Sequence, residues 1–280
     1  NKHLAQAIVG DAKISLKDLS DALGDWRAGE EWNKKSQIEL AEWNEHIDKE
    51  SAPSNQEIPS YVQVIGAIYK NSDPSDIAVT AAGGLVGEVV QVWRPRELNT
   101  HETEWGFSCM SYEISGALGI KMANPNKEVI SFVGDGSYLL NNTDIYSSVI
   151  TKNKLIIIVC DNGGFAVINR LQLFKGGNEY NNLLKSSNTP GLVDVDFAKH
   201  AESMGAKSEH VNSISDLEEA FKRAKKSDVT YVISIKTHAY QWLEGSAFWD
   251  SPTLEIPTTD ENKEALKLYK EGKSKQRQGV

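Results

Sequence analysis

Two apolar runs, VISFV at residues 129–133 and LIIIV at 155–159, each stop abruptly in small and oxygen-bearing residues. The first stops at Gly134-Asp135-Gly136-Ser137 and the second, after Cys160, at Asp161-Asn162-Gly163-Gly164. Between Gly136 and Asn162 lie residues 137–161, which is 25 positions and room for one crossover helix. Strands joined this way are parallel and bring their carboxyl ends to the same edge of a sheet. Asp135 and Asn162 then arrive side by side, where open α/β sheets bind ligands. Two hard oxygen ligands beside glycine-rich turns suit Mg²⁺ holding a diphosphate. Gly-Asp-Gly alone also suits a plain turn, but a turn needs no matching Asn162 at the next strand end.

The rest of the chain fits the same alternation. Residues 61–69 read as helix, 77–80 as a strand ending in Ala81-Ala82-Gly83-Gly84, and 112–123 as a helix with Gly116 and Gly119 on a close-packed face. The crossover helix falls at 142–151, further helices at 196–204 and 215–226, and a last buried strand at 230–235. The expected fold is α/β, a parallel sheet flanked by helices, over residues 60–240. Residues 1–25 combine a short apolar run, a Gly-Asp turn and Leu16, Leu19 and Leu23 at helical spacing. They read as the last strand and helix of a preceding domain. Residues 26–59, polar and helix-like with Trp26, Trp32 and Trp43, read as a connector. Residues 241–280 form a tail with Trp242, Phe248 and Trp249, either a lid over the site or ordinary packing, and end in a charged helix.

Thirty basic against 39 acidic residues give a net charge of −9, which argues against a general affinity for nucleic acid or anionic membrane. Basic clusters at 222–226 and 267–277 read as solvated helix faces. No apolar run approaches the roughly 20 residues that span a bilayer. Two cysteines, Cys109 and Cys160, supply neither a disulfide framework nor a metal-binding C-x-x-C spacing. Reduced, buried thiols in a cytoplasmic protein are expected. The first residues lack a signal-peptide pattern and an initiator methionine, so a processed chain or a fragment is expected.

GDGS, the gap of 25 and an Asn followed by Gly-Gly resemble the metal-binding motif of thiamine diphosphate enzymes. AAGGLVGEVVQVWRP (81–95), EWGFSCMSYEISGALGIKMA (104–123) and DNGGFAVINRLQ (161–172) narrow the resemblance. They are similar to the carboxyl-terminal region of the inositol-catabolism hydrolases acting on 3D-(3,5/4)-trihydroxycyclohexane-1,2-dione, over a stretch from about Trp26 to near Trp249. The resemblance implies the diphosphate-binding (PP) domain of those enzymes, with thiamine diphosphate and Mg²⁺ as cofactors. It assigns Mg²⁺ to the Asp135 carboxylate, the Asn162 side-chain oxygen and the Gly164 carbonyl. Asp161 stands where the common pattern has Asn; that position is not the usual ligand, but the change adds negative charge. Gly136 and Ser137 would offer N–H groups, and Ser137 a hydroxyl, to the diphosphate, and Val167 a further backbone N–H. Gly83 and Gly84 either let the backbone approach the diphosphate or simply make a tight strand-to-helix turn. Met110 is either core filler or the bulky apolar residue that props the cofactor into a bent V shape. In the second case the Met110 N–H and the Ser108 carbonyl would hydrogen-bond the aminopyrimidine, with Cys109 a mere neighbour.

The family also implies a pyrimidine-binding domain, from the same or another subunit of a homo-oligomer, that supplies an activating glutamate. No stretch of this chain resembles it, so no catalytic residue is assigned here, and the chain alone is expected to be silent. The implied reaction cleaves the bond between the two carbonyl carbons of the cyclic dione, yielding 5-deoxy-glucuronate. Two other readings stay open: an acetolactate synthase-like enzyme acting on 2-oxoacids, and a non-catalytic diphosphate-binding module. His101, Glu104 and His238 read as surface or supporting residues, or as side chains facing the substrate.

Overall fold

The computed structural model describes residues 7–54, 56–191, 193–243 and 253–276. The chain divides into two compact units, residues 47–246 and residues 1–46 with 247–280. Its elements, in chain order, are α1 (Ala12–Leu23), α2 (Glu30–Glu50), α3 (Tyr61–Asn71), β1 (Ile77–Thr80), α4 (Gly83–Val92), β2 (His101–Thr103), α5 (Tyr112–Ala123), β3 (Val129–Gly134), α6 (Asp135–Leu140), α7 (Thr143–Ile150), β4 (Ile156–Asp161), α8 (Ala166–Phe174), a 3₁₀ turn (Leu184–Ser186), α9 (Phe197–Ser203), β5 (Lys207–Val211), α10 (Ile214–Lys225), β6 (Tyr231–Lys236) and α11 (Asp260–Lys275).

The larger unit is built on one six-stranded, wholly parallel sheet in the order β2-β1-β3-β4-β6-β5. Its central strands carry the continuous apolar runs that a sheet covered on both faces requires. Ile156, Ile157, Ile158 and Val159 of β4 are all fully buried, and burial of each such side chain contributes about 1.5–3 kcal/mol. One side of the core packs Val129 and Val133 against Ile114 and Ala117 of α5, Tyr138 of α6 and Phe197 of α9. Helix α3 starts at a capping box, in which the Ser60 hydroxyl accepts the Gln63 N–H and the Gln63 side chain accepts the Ser60 N–H.

The expected α/β fold is observed, with three local differences. The crossover between β3 and β4 holds two helices, because α6 begins at Asp135 itself and α7 follows after Asn141-Asn142. Both edge strands, β2 (His-Glu-Thr) and β5 (Lys-Ser-Glu-His-Val), are additional, and so is α8. Finally, the strand expected near the start does not form in the described part: Ile8 and Val9 are exposed and outside regular structure.

In the smaller unit, the Asp11 carboxylate caps α1 by accepting the Ile14 N–H at 3.0 Å, and Thr259 caps α11 by accepting the Asn262 N–H at 3.2 Å. The leucines 16, 19 and 23 of α1 are exposed, as are Trp26 and Trp32. Of the tail expected as a lid, residues 244–249 lie outside the described residues.

Candidate functional site

The chain leaves β1 outward to β2, then returns to place β3 on the other flank of β1. That reversal opens a crevice at the carboxyl ends of β1 and β3, the place where open α/β sheets bind ligands. A cavity of about 220 Å³ occupies it. Its walls include Gly83, Gly84, Ser108, Met110, Asp135, Gly136, Ser137, Asn162, Gly164 and Val167. Every residue that the resemblance assigned to the metal or cofactor therefore borders one cavity, whereas His101, Glu104 and His238 do not line it.

Three helices, α4, α6 and α8, begin on this cavity, and none has a side-chain hydrogen bond capping its start. First-turn N–H groups have no partner inside their own helix, and their dipoles favour an anion. The Val167 N–H belongs to this set because α8 starts at Ala166. Sequence reasoning had no helix at α8, so it missed one of the three.

Asp135 is buried, and its Oδ2 accepts the Gly164 N–H at 2.7 Å. Burial, reinforced by nearby Asp161, pushes its carboxyl up to about 7. Burial likewise raises the Tyr61 phenol and the Cys160 thiol, with Asp135 adding to both. A niche that resists negative charge this way is one where a cation would be stabilised. Asn162 donates its Nδ2 hydrogen to the Tyr61 hydroxyl, while its buried Oδ1 has no hydrogen-bond partner among the described residues. A buried amide oxygen left without a partner is costly unless a ligand takes it. The residues thus fit Mg²⁺, which the Asp135 carboxylate and Asn162 Oδ1 would hold together with the Gly164 carbonyl. Among the described residues there is no cluster of three or more His, Cys, Asp or Glu side chains able to hold a metal. Mg²⁺ ordinarily needs only one or two carboxylates beside phosphate and water.

Both oxygens of Asp161 are engaged within the protein. Its Oδ1 accepts the Gly163 N–H at 2.9 Å, and its Oδ2 lies 2.6 Å from Lys236 Nζ. The two residues are register partners on β4 and β6. The charge that the sequence left uncompensated is therefore neutralised by a residue 75 positions downstream. The loop itself is clasped by a remote segment: the Gly163 carbonyl accepts the Leu184 N–H at 2.8 Å, and the Phe165 N–H donates to the Asn182 carbonyl at 2.7 Å.

The glycines make room for side chains as much as for a ligand. Gly83 begins α4 at φ +78°, and a Cβ on Gly84 would sit 2.3 Å from the Trp242 ring. A Cβ on Gly136 would meet the Phe165 ring at 2.6 Å. Trp242 is held by Tyr61, edge-on at 6.0 Å between ring centroids, and by the Arg170 guanidinium at 4.8 Å. The next N–H, of Leu243, donates to buried Glu88 at 3.1 Å. Burial pushes the Glu88 carboxyl up to about 7, against the pull of that N–H and of Arg170.

The Ser137 hydroxyl proton is directed to the Glu113 carboxylate, not into the cavity. What Ser137 offers a ligand there is its backbone N–H. Met110 is partly exposed and Ser108 sits at φ +51°, in the loop next to β2. Glu104 holds that loop by accepting the N–H of Phe107 at 2.8 Å and of Cys109 at 2.7 Å. His101 bonds Thr103 on the edge strand at 2.9 Å. His238 borders a second cavity of about 530 Å³ that shares Asn162 with the first. Both cysteines are free, but Cys109 is exposed where a buried thiol was expected. Among the described residues no helix is long and apolar enough to cross a membrane.

The family model for the thiamine pyrophosphate enzyme, C-terminal TPP binding domain, matches residues 81–235. Proteins named 3D-(3,5/4)-trihydroxycyclohexane-1,2-dione hydrolase are similar: that of Bacillus licheniformis is 34% identical over 76% of this chain and 33% of its own length. That of Geobacillus thermodenitrificans is 32% identical over 91% of this chain and 44% of its own length. The chain thus spans a third to under half of these relatives. Among solved structures, the thiamine diphosphate-dependent 4-hydroxybenzoylformate decarboxylase of Rhodococcus jostii superposes with a TM-score of 0.57, 22% identity, 67% of this chain and 34% of its own. A benzoylformate decarboxylase from Polynucleobacter necessarius gives 0.54 and 22%, over 64% and 33%. At that identity they speak to the fold alone. The chain belongs to the thiamine pyrophosphate enzyme family and carries its C-terminal TPP-binding domain.

Proposed function

We propose that this chain is the cofactor-holding part of a Mg²⁺- and thiamine diphosphate-dependent hydrolase that opens 3D-(3,5/4)-trihydroxycyclohexane-1,2-dione to 5-deoxy-glucuronate in inositol catabolism. The observation that carries the cofactor reading is the convergence of three uncapped helix starts around Asp135 and the unpartnered Asn162 oxygen. The substrate reading rests on the similarity to the named hydrolases.

Bound thiamine diphosphate supplies an electron sink, which lets the bond between adjacent carbonyl carbons break. The chain's own residues bind and orient. Asp135, Asn162 and the Gly164 carbonyl hold Mg²⁺, and the N–H groups at Gly83–Gly84, Gly136–Ser137 and Val167 receive the diphosphate. Ser108 and Met110 hold the aminopyrimidine end and set its tilt. The chemistry further calls for a glutamate from a pyrimidine-binding domain, and we place that domain outside residues 1–280, on the same or a second subunit of a homo-oligomer. On this reading residues 60–240 hold the cofactor, 26–59 connect, 1–25 close a preceding domain, and 241–280 form a tail. The unit alone is silent, and a reducing cytoplasm suits its two free thiols.

The test is turnover by the protein expressed from its full gene, with Mg²⁺ and thiamine diphosphate, offered the cyclic dione and pyruvate separately. Ring opening that vanishes in Asp135→Ala supports the reading. Carboligation of pyruvate without ring opening keeps the cofactor and overturns the substrate.

A further inference from the structure

Glu113 is a carboxylate that the sequence did not single out, and it is 1% exposed on the first turn of α5. Its Oε1 accepts the Ala82 N–H at 3.2 Å, at the end of β1 and immediately before Gly83-Gly84. The Ser137 hydroxyl lies 3.1 and 3.2 Å from its two oxygens and donates to it. The same hydroxyl oxygen accepts the Ser111 N–H at 2.9 Å, directly after Met110, and the Ser111 hydroxyl donates to the Ser137 carbonyl at 2.8 Å. The Glu113 carbonyl in turn accepts the Ser131 hydroxyl of β3 at 2.7 Å.

We propose that Glu113 is the positioning residue that fixes the glycine turn after β1, the Ser108–Met110 segment and the start of α6 at the mutual distances thiamine diphosphate requires. This rests on the cofactor reading above and adds a residue that touches no cofactor atom. Each of the three segments is tied to Glu113 directly or through one hydroxyl, and each contributes walls of the same cavity. A side chain serving only to fill space would be apolar, because a buried carboxylate costs desolvation energy. Burial does raise its carboxyl above the ordinary value, with the Ala82 N–H and the Ser137 hydroxyl pulling the other way. Ser137 thereby acts as a link between Glu113 and Ser111, which explains why its proton is turned from the cavity.

The test uses the protein expressed from its full gene and the variants Glu113→Ala, Glu113→Gln and Ser137→Ala. Two quantities are read: the dissociation constant for thiamine diphosphate at saturating Mg²⁺, and the melting midpoint without cofactor. Glu113→Ala should weaken binding about tenfold or more, as loss of outer supports of a ligand site does. Glu113→Gln, which keeps an acceptor for Ala82, should stay within about threefold, and Ser137→Ala should fall between them. A merely structural role would lower the melting midpoint and leave the affinity of the folded variant unchanged, which overturns the proposal. Glu113→Gln binding as weakly as Glu113→Ala also overturns it. Should Glu113→Ala fail to fold, unchanged affinity in Ser137→Ala decides against it. A wild type that binds no thiamine diphosphate defeats the cofactor reading itself, and is told apart because no variant is then needed.

Discussion

Asp161 and Lys236 stand opposite each other at the ends of β4 and β6, with Oδ2 and Nζ 2.6 Å apart. The carboxylate is buried and the ammonium half exposed. The pair holds the first residue of the loop after β4 in place, while the Asp161 charge still adds to the upward push on the Asp135 carboxyl. Removing Lys236 leaves the carboxylate uncompensated, so Lys236→Gln should cost about 1–3 kcal/mol, scaled down from a fully buried pair because the lysine is partly solvated. Asp161→Asn in the same background should recover most of that loss. Chemical denaturation of the two single variants and the double variant measures it; strictly additive effects would contradict a direct pairing.

The Tyr61 hydroxyl orients the Asn162 amide, since it takes the Nδ2 hydrogen and leaves Oδ1 without a partner among the described residues. Tyr61→Phe frees the amide to turn over and point its NH₂ at the metal. Mg²⁺ affinity should drop about 10-fold, in line with the loss of an orienting partner behind a ligand. Isothermal titration with Mg²⁺ in the presence of thiamine diphosphate checks this, and unaltered affinity would show that the amide is oriented by something else.

The Asp135 carboxyl is raised from 3.8 to about 7, so the folded protein holds its proton more tightly than the unfolded chain does. Stability from this group is fully present below the ordinary carboxylate value and is lost as pH rises through about 7. Without Mg²⁺ the loss is at most about 4 kcal/mol across that window. Asp135→Asn should flatten the slope, matching wild type near pH 4 and exceeding it near pH 8. Because the metal needs the ionised form, Mg²⁺ affinity of the wild type should fall about tenfold per pH unit below 7. Melting curves with and without Mg²⁺ across that range read both effects; equal pH slopes in the two proteins would rule out Asp135 as their source.

Gly84 and Trp242 share one space. Gly84→Ala places a methyl 2.3 Å from the indole and 3.3 Å from the Val167 Cβ. The indole is pinned by Tyr61 and Arg170 and yields poorly, so a cost of about 1–3 kcal/mol is expected from overpacking. Trp242→Ala in the Gly84→Ala background should relieve the clash, so the double variant should lose less than the sum of the two singles. The melting midpoints of all four proteins test it.

Much of this site is legible in the chain because its parts are local. A strand that ends in Gly-Asp-Gly-Ser and another that ends in Asp-Asn-Gly-Gly each announce a turn, and the parallel crossover forces the two together. The strands that escaped sequence reading are the sheet's two edges, β2 and β5. They are short and polar, as edges that must not pair with other chains tend to be, and so lack the apolar signature of the interior. Lys236, the contact of Trp242 with Gly84, and Glu113 escaped for a different reason. Their partners lie 75, 158 and 24 or more residues away, and nothing local distinguishes a lysine ending a strand or a glutamate opening a helix from a solvated one. Phe165 over Gly136 shows the same limit: the glycine was legible and its occupant was not.

The clasp between Gly163–Phe165 and Asn182–Leu184 makes the loop after β4 depend on more than the sheet. Strands β3 and β4 can pair as soon as the sheet condenses, but the loop after β4 reaches its final shape only when the chain through α8 has doubled back to residue 182. Closing that excursion carries its own entropy cost, offset by two backbone hydrogen bonds. A change that loosens residues 182–184 can therefore disturb the loop while leaving the sheet's own pairings intact.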